Sequence, residues 1–419
     1  MKKTVFILLS VAVLGLAGCG SDPNKNNGKG GSDNQEVVTY SITYELDGGT
    51  NSSNNPSTYN SGSKLNFADP TKTGYSFAGW YDSNGNKVTG ITSSTTGNLT
   101  LTAHWNPIQN ELVVTSEDTL KGTVSIVSGS GYSDETITVL AAPKLGHEFV
   151  GWYHDSDKLS VNESYTFTMP TSDYSLVARF DYDYSTAKKY GIMATINQEE
   201  QTVKYGLYPQ NRVNNSSVIS ALNSMTNPNG HNGWYFYNNE FYAKLVATPY
   251  KTNYKFDDGS TIVNGTTYWF KCEPITWMIL KLENGGYYLL STLLLDIQCF
   301  YRSQEIRVIN NAYVYPNDYE DSDIRAWLNG EFYDTAFALN HSYVKTSLVD
   351  NSASTTHSVY NTYWCNNTMD NVFLPSYQDY INPDYGFEAT DLSSNTRKCR
   401  TTDWCRARGA YISTNYDYY

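Results

Sequence analysis

Three groups of residues have the types and spacing to do chemistry. Cys399 and Cys405 sit among Arg397, Arg400, Arg406 and Arg408, and nearby guanidinium charge favours the thiolate, the nucleophilic form of cysteine. Asp318, Glu320, Asp321 and Asp323 offer enough carboxylate oxygen for a hard cation such as Ca²⁺. The same acids precede an apolar helical pattern, where negative charge favours the helix N-terminus. His147-Glu148-Phe149-Val150-Gly151 begins like the zinc-protease His-Glu-x-x-His, but Gly151 stands where the second ligand is needed. No Gly-x-Ser-x-Gly elbow and no Gly-x-x-x-x-Gly-Lys-Ser/Thr loop occurs. Gly28-Lys29-Gly30-Gly31 is followed by Asp33 and preceded by no strand. The residues therefore define no catalytic site, no metal site and no cofactor, and they leave the ligand-binding residues unassigned. The expectation is a non-enzyme.

Composition narrows the partners. At 419 residues the chain suggests about two to four domains. Its net charge of −13 gives little support to phosphate neutralisation, so nucleic acid is not an expected partner. The 37 tyrosines could stack on sugars or hydrogen-bond at interfaces; an AT-rich genome would enrich Tyr and Asn together as well.

The N-terminus is more specific. Lys2 and Lys3 precede an apolar run ending near Leu16, whose length suits a signal-peptide core rather than a spanning helix. Leu16-Ala17-Gly18-Cys19 resembles the lipobox of bacterial lipoproteins. Small residues at 17 and 18 let the backbone enter a peptidase groove. The resemblance implies a signal peptide over 1–18, lipidation of Cys19 and membrane attachment through that lipid anchor, at roughly 0.8 kcal/mol per buried CH₂. Loss of Lys2 and Lys3 would leave the mature chain more acidic. Residues 19–36 are rich in Gly, Asn, Ser and Asp and read as a disordered tether with a reach of roughly 20–25 Å. Cys272, Cys299, Cys365, Cys399 and Cys405 remain. Pairing is permitted outside the cytoplasm, and the odd number leaves at least one thiol unpaired or bridging chains.

Among the elements that carry these residues, one segment occurs twice. GYSFAGWYD begins at Gly74 and GHEFVGWYH at Gly146. Tyr40, Ile42, Tyr44 and Leu46 alternate with polar residues, as do Leu99, Leu101, Ala103 and Trp105, and in the second copy Tyr174, Leu176, Ala178 and Phe180. A period of two argues half-buried strands. Phe77 and Trp80 are core candidates beside Gly74 and Gly79, with length differences between copies falling between a Gly-Trp turn and the last strand. Residues 40–106, with ITYELDGGT, PTKTGYSFAGWY and LTAHW, resemble an internalin B-type (Listeria–Bacteroides) repeat. Residues 111–180 resemble a divergent cousin that keeps GHEFVGWY and LVARF but lacks the Asp47-Gly48-Gly49 turn. The resemblance implies β-grasp-like spacer or adhesive modules without catalytic residues, over 37–107 and 110–181.

After residue 190 the character changes. Ser217–Met225 has helical spacing, Asn284-Gly285-Gly286 separates two apolar runs as in a hairpin, and Asp321 or Ser322 can cap a helix carrying Ile324, Trp327 and Leu328. Phe332 and Phe337 extend that pattern. GLYPQNRV, PITWMILKLENGGYYLLS, DSDIRAWLNGEFYDTAF, DNVFLPS and CRARGAY follow the order of an uncharacterised family of bacterial surface domains, related to C-type-lectin-like and formylglycine-generating-enzyme-like folds. The second kinship implies a copper-binding use of a cysteine pair, the sharpest enzymatic alternative. Calcium-lectin triplets are absent. Family members continue into a Trp-Leu-Arg-Ser-Pro stretch and a closing strand, so the domain 190–419 is expected to be C-terminally truncated. The whole reads as α+β and β-rich: two tandem β-grasp-like modules and a C-terminal C-type-lectin-like domain. The expected function is a cell-surface, lipid-anchored lipoprotein displaying an adhesin-like domain for an extracellular protein or glycan, with a purely structural envelope protein as the further alternative.

Overall fold

A computed structural model describes residues 37–303, 305–359, 364–389 and 395–412. The chain divides into two units, one ending at Asn106 and the other beginning at Pro107. Both are β-rich, and among the described residues no helix is long and apolar enough to cross a membrane.

The first unit has strands β1 (Thr39–Glu45), β2 (Thr58–Asn60), β3 (Leu65–Asn66), β4 (Tyr75–Tyr81), β5 (Lys87–Val88), β6 (Gly90–Ile91) and β7 (Leu99–Pro107). Its main sheet runs β2-β1-β7-β4-β5, with β1 and β7 parallel. The period-two residues do face one core: Ile42, Leu101 and Ala103 are buried with Trp80, and Tyr44, Phe77 and Trp105 pack against them. No helix lies in this repeat.

The second repeat has β8 (Leu112–Ser116), β9 (Gly122–Ser128), β10 (Thr136–Pro143), β11 (His147–His154), β12 (Asp157–Ser160), β13 (Ser164–Thr168) and β14 (Tyr174–Tyr182). They form the sheets β13-β10-β9 and β12-β11-β14-β8, with β8 and β14 parallel. Trp152, Leu176, Ala178 and Phe180 are buried with Ile137 and Val139.

The doubled segment is a strand in both copies, not a turn. In β11 the register against β14 shifts between Phe149 and Gly151, so a bulge bends the strand and re-aims its side chains. The aromatic packing is reproduced closely. Phe77 meets Trp80 edge-on at 5.4 Å and Trp105 at 5.5 Å; Phe149 meets Trp152 and Phe180 at 5.7 Å each. Each buried indole donates to a backbone carbonyl, Trp80 to Ala68 and Trp152 to Glu163, which meets the need of a buried N–H. The Asp-Gly-Gly turn has a structural successor in the second copy. A Cβ on Gly49 would strike the Trp105 ring, and one on Gly122 would strike the Phe180 ring. The glycine that admits the last aromatic is kept although the turn around it differs.

The second repeat continues into the C-terminal domain as one unit. Helix α1 (Tyr184–Lys189) is capped by Asp183. Next come β15 (Thr195–Asn197), β16 (Thr202–Arg212), α2 (Ser216–Ser224), β17 (Tyr235–Tyr237), β18 (Glu240–Val246), β19 (Thr267–Glu283) and β20 (Gly286–Ser291). They build the antiparallel sheet β15-β16-β19-β18-β17, with β20 also on β19. Asn215 caps α2, and Asn284 and Gly285, both at positive φ, turn β19 into β20. Leu145 and Tyr182 of the second repeat pack against the core around Ala187, Tyr190 and Ile192. Asn340 donates to the Ile192 carbonyl at 2.9 Å and to the Tyr182 hydroxyl at 3.4 Å. This seam fuses the repeat to the domain.

Several of the abundant Asn and Tyr residues serve the backbone. Asn55 pairs with both the N–H and the carbonyl of Ala68, and Asn229 does the same for Phe236 on edge strand β17. An amide side chain placed this way occupies an edge that would otherwise recruit another strand. Tyr44, Tyr59, Tyr190 and Tyr254 donate to main-chain carbonyls.

Candidate interaction face

Cys19 lies outside the described residues. His147 sits in the seam, its Nδ1 3.2 Å from the Leu145 carbonyl and its ring 4.9 Å from that of Tyr182. Cys405 is not activated by its arginine neighbours. Cys405 is buried, and burial pushes its thiol up, with Asp296 adding to the effect and Arg408 and Arg406 opposing it. The arginines are engaged by acids: Arg408 Nε lies 2.9 Å from Asp296, Arg406 Nη1 2.8 Å from Asp257, and Arg400 Nη2 3.0 Å from Asp257. Desolvation therefore outweighs guanidinium charge. Cys399 Sγ donates to the Thr292 carbonyl at 3.2 Å. Asp296 also accepts from Tyr208 at 2.5 Å and Trp404 at 3.1 Å. This buried hub fastens the helix Asp403–Arg408 into the core.

The acidic group is divided among separate partners. Ser322 caps helix α3 (Asp323–Trp327), accepting from the Arg325 N–H. Asp323 accepts from the Arg302 N–H at 2.5 Å and from Arg307 Nη2 at 2.7 Å, which holds its carboxyl below the usual range. Glu320 accepts from Asn366 Nδ2 at 3.0 Å. Among the described residues no group of three or more His, Cys, Asp or Glu is arranged to hold a metal ion.

What these contacts build is a platform for two short ribbons. The first pairs Arg307–Ile309 with Ala312–Val314 around Asn310 and Asn311, both at positive φ. The second pairs Ser347–Val349 with Thr368–Asp370. Arg307 joins the first ribbon to Asp323 of α3, and its Nη1 also meets the Asp321 carbonyl at 3.4 Å. Arg325 of α3 reaches Asp370 of the second ribbon at 2.8 Å and the Glu320 carbonyl at 2.8 Å. Both ribbons are thus fastened to residues 320–325.

Each ribbon exposes an apolar couple across its strands. Val308 faces Tyr313 and Leu348 faces Met369, with 64, 74, 66 and 58% of their surfaces accessible. Trp364, two residues before the Glu320 partner Asn366, is also exposed. Each couple sets two large apolar side chains side by side in water, area that a partner would remove from solvent. The first ribbon has a sequence signal in RVINNAYV, two short alternating runs around Asn-Asn. The second had none, since its strands lie far apart in sequence. Elsewhere, a shallow depression of about 450 Å³ in the second repeat is lined by Gln109, Glu111, Ile126 and Ser130 among others, without a cluster of reactive groups.

The fold is therefore that of a β-rich, multi-module protein with a helix-anchored pair of ribbons. Residues 40–104 match the Listeria-Bacteroides repeat domain, and residues 112–184 match the divergent InlB B-repeat domain. Residues 284–416, which include both ribbons and α3, match a domain of unknown function, DUF6273. The repeat resemblances read from the doubled segment hold. A protein of Evansella cellulosilytica, named as a membrane protein, is 34% identical over 125 residues. That stretch is 29% of this chain and 18% of the relative's length. No solved structure matches the chain significantly.

Proposed function

We propose that this chain is a cell-envelope display protein, lipid-anchored through Cys19, whose C-terminal domain binds another protein through the two-ribbon face. The observation carrying this reading is the pair of exposed couples, Val308 with Tyr313 and Leu348 with Met369. Large apolar side chains of this kind form the desolvated centre of protein interfaces. Tyr313 and Trp364 present aromatic faces on which a sugar can stack, but three of the four side chains in the couples are aliphatic, which favours protein over glycan. The envelope address is supported by the repeats, which resemble modules of bacterial surface proteins, and by the relative's name. Burial of the Cys405 thiol favours a binding role over the enzymatic alternative. A remote kinship with C-type-lectin-like domains would fit the same role.

Two experiments test this. Purified wild type and the Val308→Asp/Leu348→Asp variant are applied to envelope surfaces treated with protease or with periodate. Binding lost after protease and in the variant, but kept after periodate, is the expected result; loss after periodate alone would move the reading to glycan. Radiolabelled palmitate should label the wild type, and equal labelling of Cys19→Ala would end the lipid-anchor claim.

A further inference from the structure

We infer that the two-ribbon face takes an extended apolar segment flanked by Lys or Arg from a different protein. This rests on the proposed protein-binding reading and adds the chemistry and the binding mode of the partner.

The charge of the two segments that form the ribbons and their platform is lopsided. Over residues 302–325 and 345–370, Arg307 is paired with Asp323 and Arg325 with Asp370. With those pairs set aside, Glu305, Asp318, Glu320, Asp321 and Asp350 stand against Arg302 and Lys345. Exposed apolar couples carried on segments with an acidic excess are complementary to an apolar segment with basic flanks, and they repel an acidic one. A second copy of this chain is the poorer occupant. At a net charge of −13 it would bring the same acidic rim to an isologous contact.

The binding mode follows from the ribbons. Each is a sheet of only two strands, and among the described residues neither pairs with a third. A two-stranded ribbon is marginally stable by itself, and an extended peptide can add a strand to its edge, with side chains alternating onto the apolar couple. The platform is also incompletely satisfied. Tyr301, whose ring lies 3.5 Å under the Arg307 guanidinium, has a buried hydroxyl with no hydrogen-bond partner among the described residues. Leaving such a donor unpaired is costly, and an added backbone carbonyl would supply an acceptor.

The test uses the full chain and two synthetic peptides with the same alternating Val, Leu and Tyr centre, one flanked by Lys and the other by Glu. Fluorescence anisotropy reads their affinities. The Lys-flanked peptide should bind at least about tenfold more tightly, and the difference should shrink as salt rises from 50 to 500 mM and the Debye length falls to a few Å. Glu305→Gln/Asp321→Asn should reduce the preference, and Leu348→Asp should abolish binding. Equal binding of both peptides, lost in Leu348→Asp, would overturn the charge inference and leave the protein-binding face standing. Binding of neither peptide, or binding unchanged in Leu348→Asp, would overturn both. Concentration-dependent dimerisation, lost in Leu348→Asp, would overturn the assignment to a different protein.

Discussion

The Arg325 guanidinium lies 2.8 Å from the Asp370 carboxylate, whose side chain is fully enclosed. Asp370 is further held by the Thr368 hydroxyl at 2.7 Å, and Arg325 by the Glu320 carbonyl at 2.8 Å. Removing one partner of a buried pair strands the other charge, at a cost of about 3–5 kcal/mol. Arg325→Ala, which strands the enclosed Asp370 carboxylate, should therefore lower the urea stability of the second unit by that order. Arg325→Lys should not restore it, because an ammonium lacks the planar fork that serves both acceptors. Hydrogen exchange should show Ser347–Val349 and Thr368–Asp370 losing protection first.

The repeated aromatic clusters make a second prediction. Trp80 belongs to a core confined to the first repeat, while Trp152 supports the repeat fused to the C-terminal domain. Each Trp→Ala change should cost about 3–5 kcal/mol. Calorimetry of the full chain should show Trp152→Ala lowering the transition that includes the C-terminal domain. Trp80→Ala should leave that transition in place and lower another.

Gly122 offers a sharper probe, because what it provides is space. With β9 beginning at this residue, a side chain there meets the Phe180 ring. Gly122→Val should destabilise the second repeat by about 1–3 kcal/mol through overpacking, and Gly122→Val/Phe180→Leu should recover part of the loss. Urea unfolding of the three variants checks both statements.

The seam should respond to pH. Burial first, and then Lys121, draw the His147 imidazole below its ordinary value of 6.5, against the opposing pull of Asp118 and Asp181 and the Leu145 carbonyl. The folded state thus keeps the neutral ring. Its contribution is complete above pH 6.5 and is lost as pH falls through the lowered folded value. Thermal stability of the second unit should decline between about pH 7 and pH 5. His147→Phe, which keeps an aromatic ring against Tyr182 without titrating, should flatten that part of the profile.

Much of the scaffold was legible in the sequence, because alternation reports directly on which side chains face a core. Ile42, Leu101, Ala103, Leu176, Ala178 and Phe180 lie where the period of two puts them, and Ser322 caps its helix as its type suggests. Properties set by contacts distant in sequence were not legible. The Cys405 thiol depends on how deeply Asp403–Arg408 is driven into the core, which outweighs its arginine neighbours. The second ribbon joins Leu348 to Met369 across a long connection, and the bond from Arg325 to Asp370 that anchors it links two motifs with no local sign of pairing. The candidate face was therefore out of reach until those two segments were brought together.

Partner binding is proposed to concentrate on the two ribbons. Its most direct measurement is site-specific photocrosslinking in the cells that make the protein, with the reactive side chain placed at Tyr313, at Met369 or at Tyr250. Tyr250 is exposed to a similar degree but lies outside both ribbons. One protein adduct is expected, the same at Tyr313 and Met369, missing at Tyr250 and lost with Leu348→Asp. Equal adducts at all three positions, or adducts at Tyr250 alone, would contradict it.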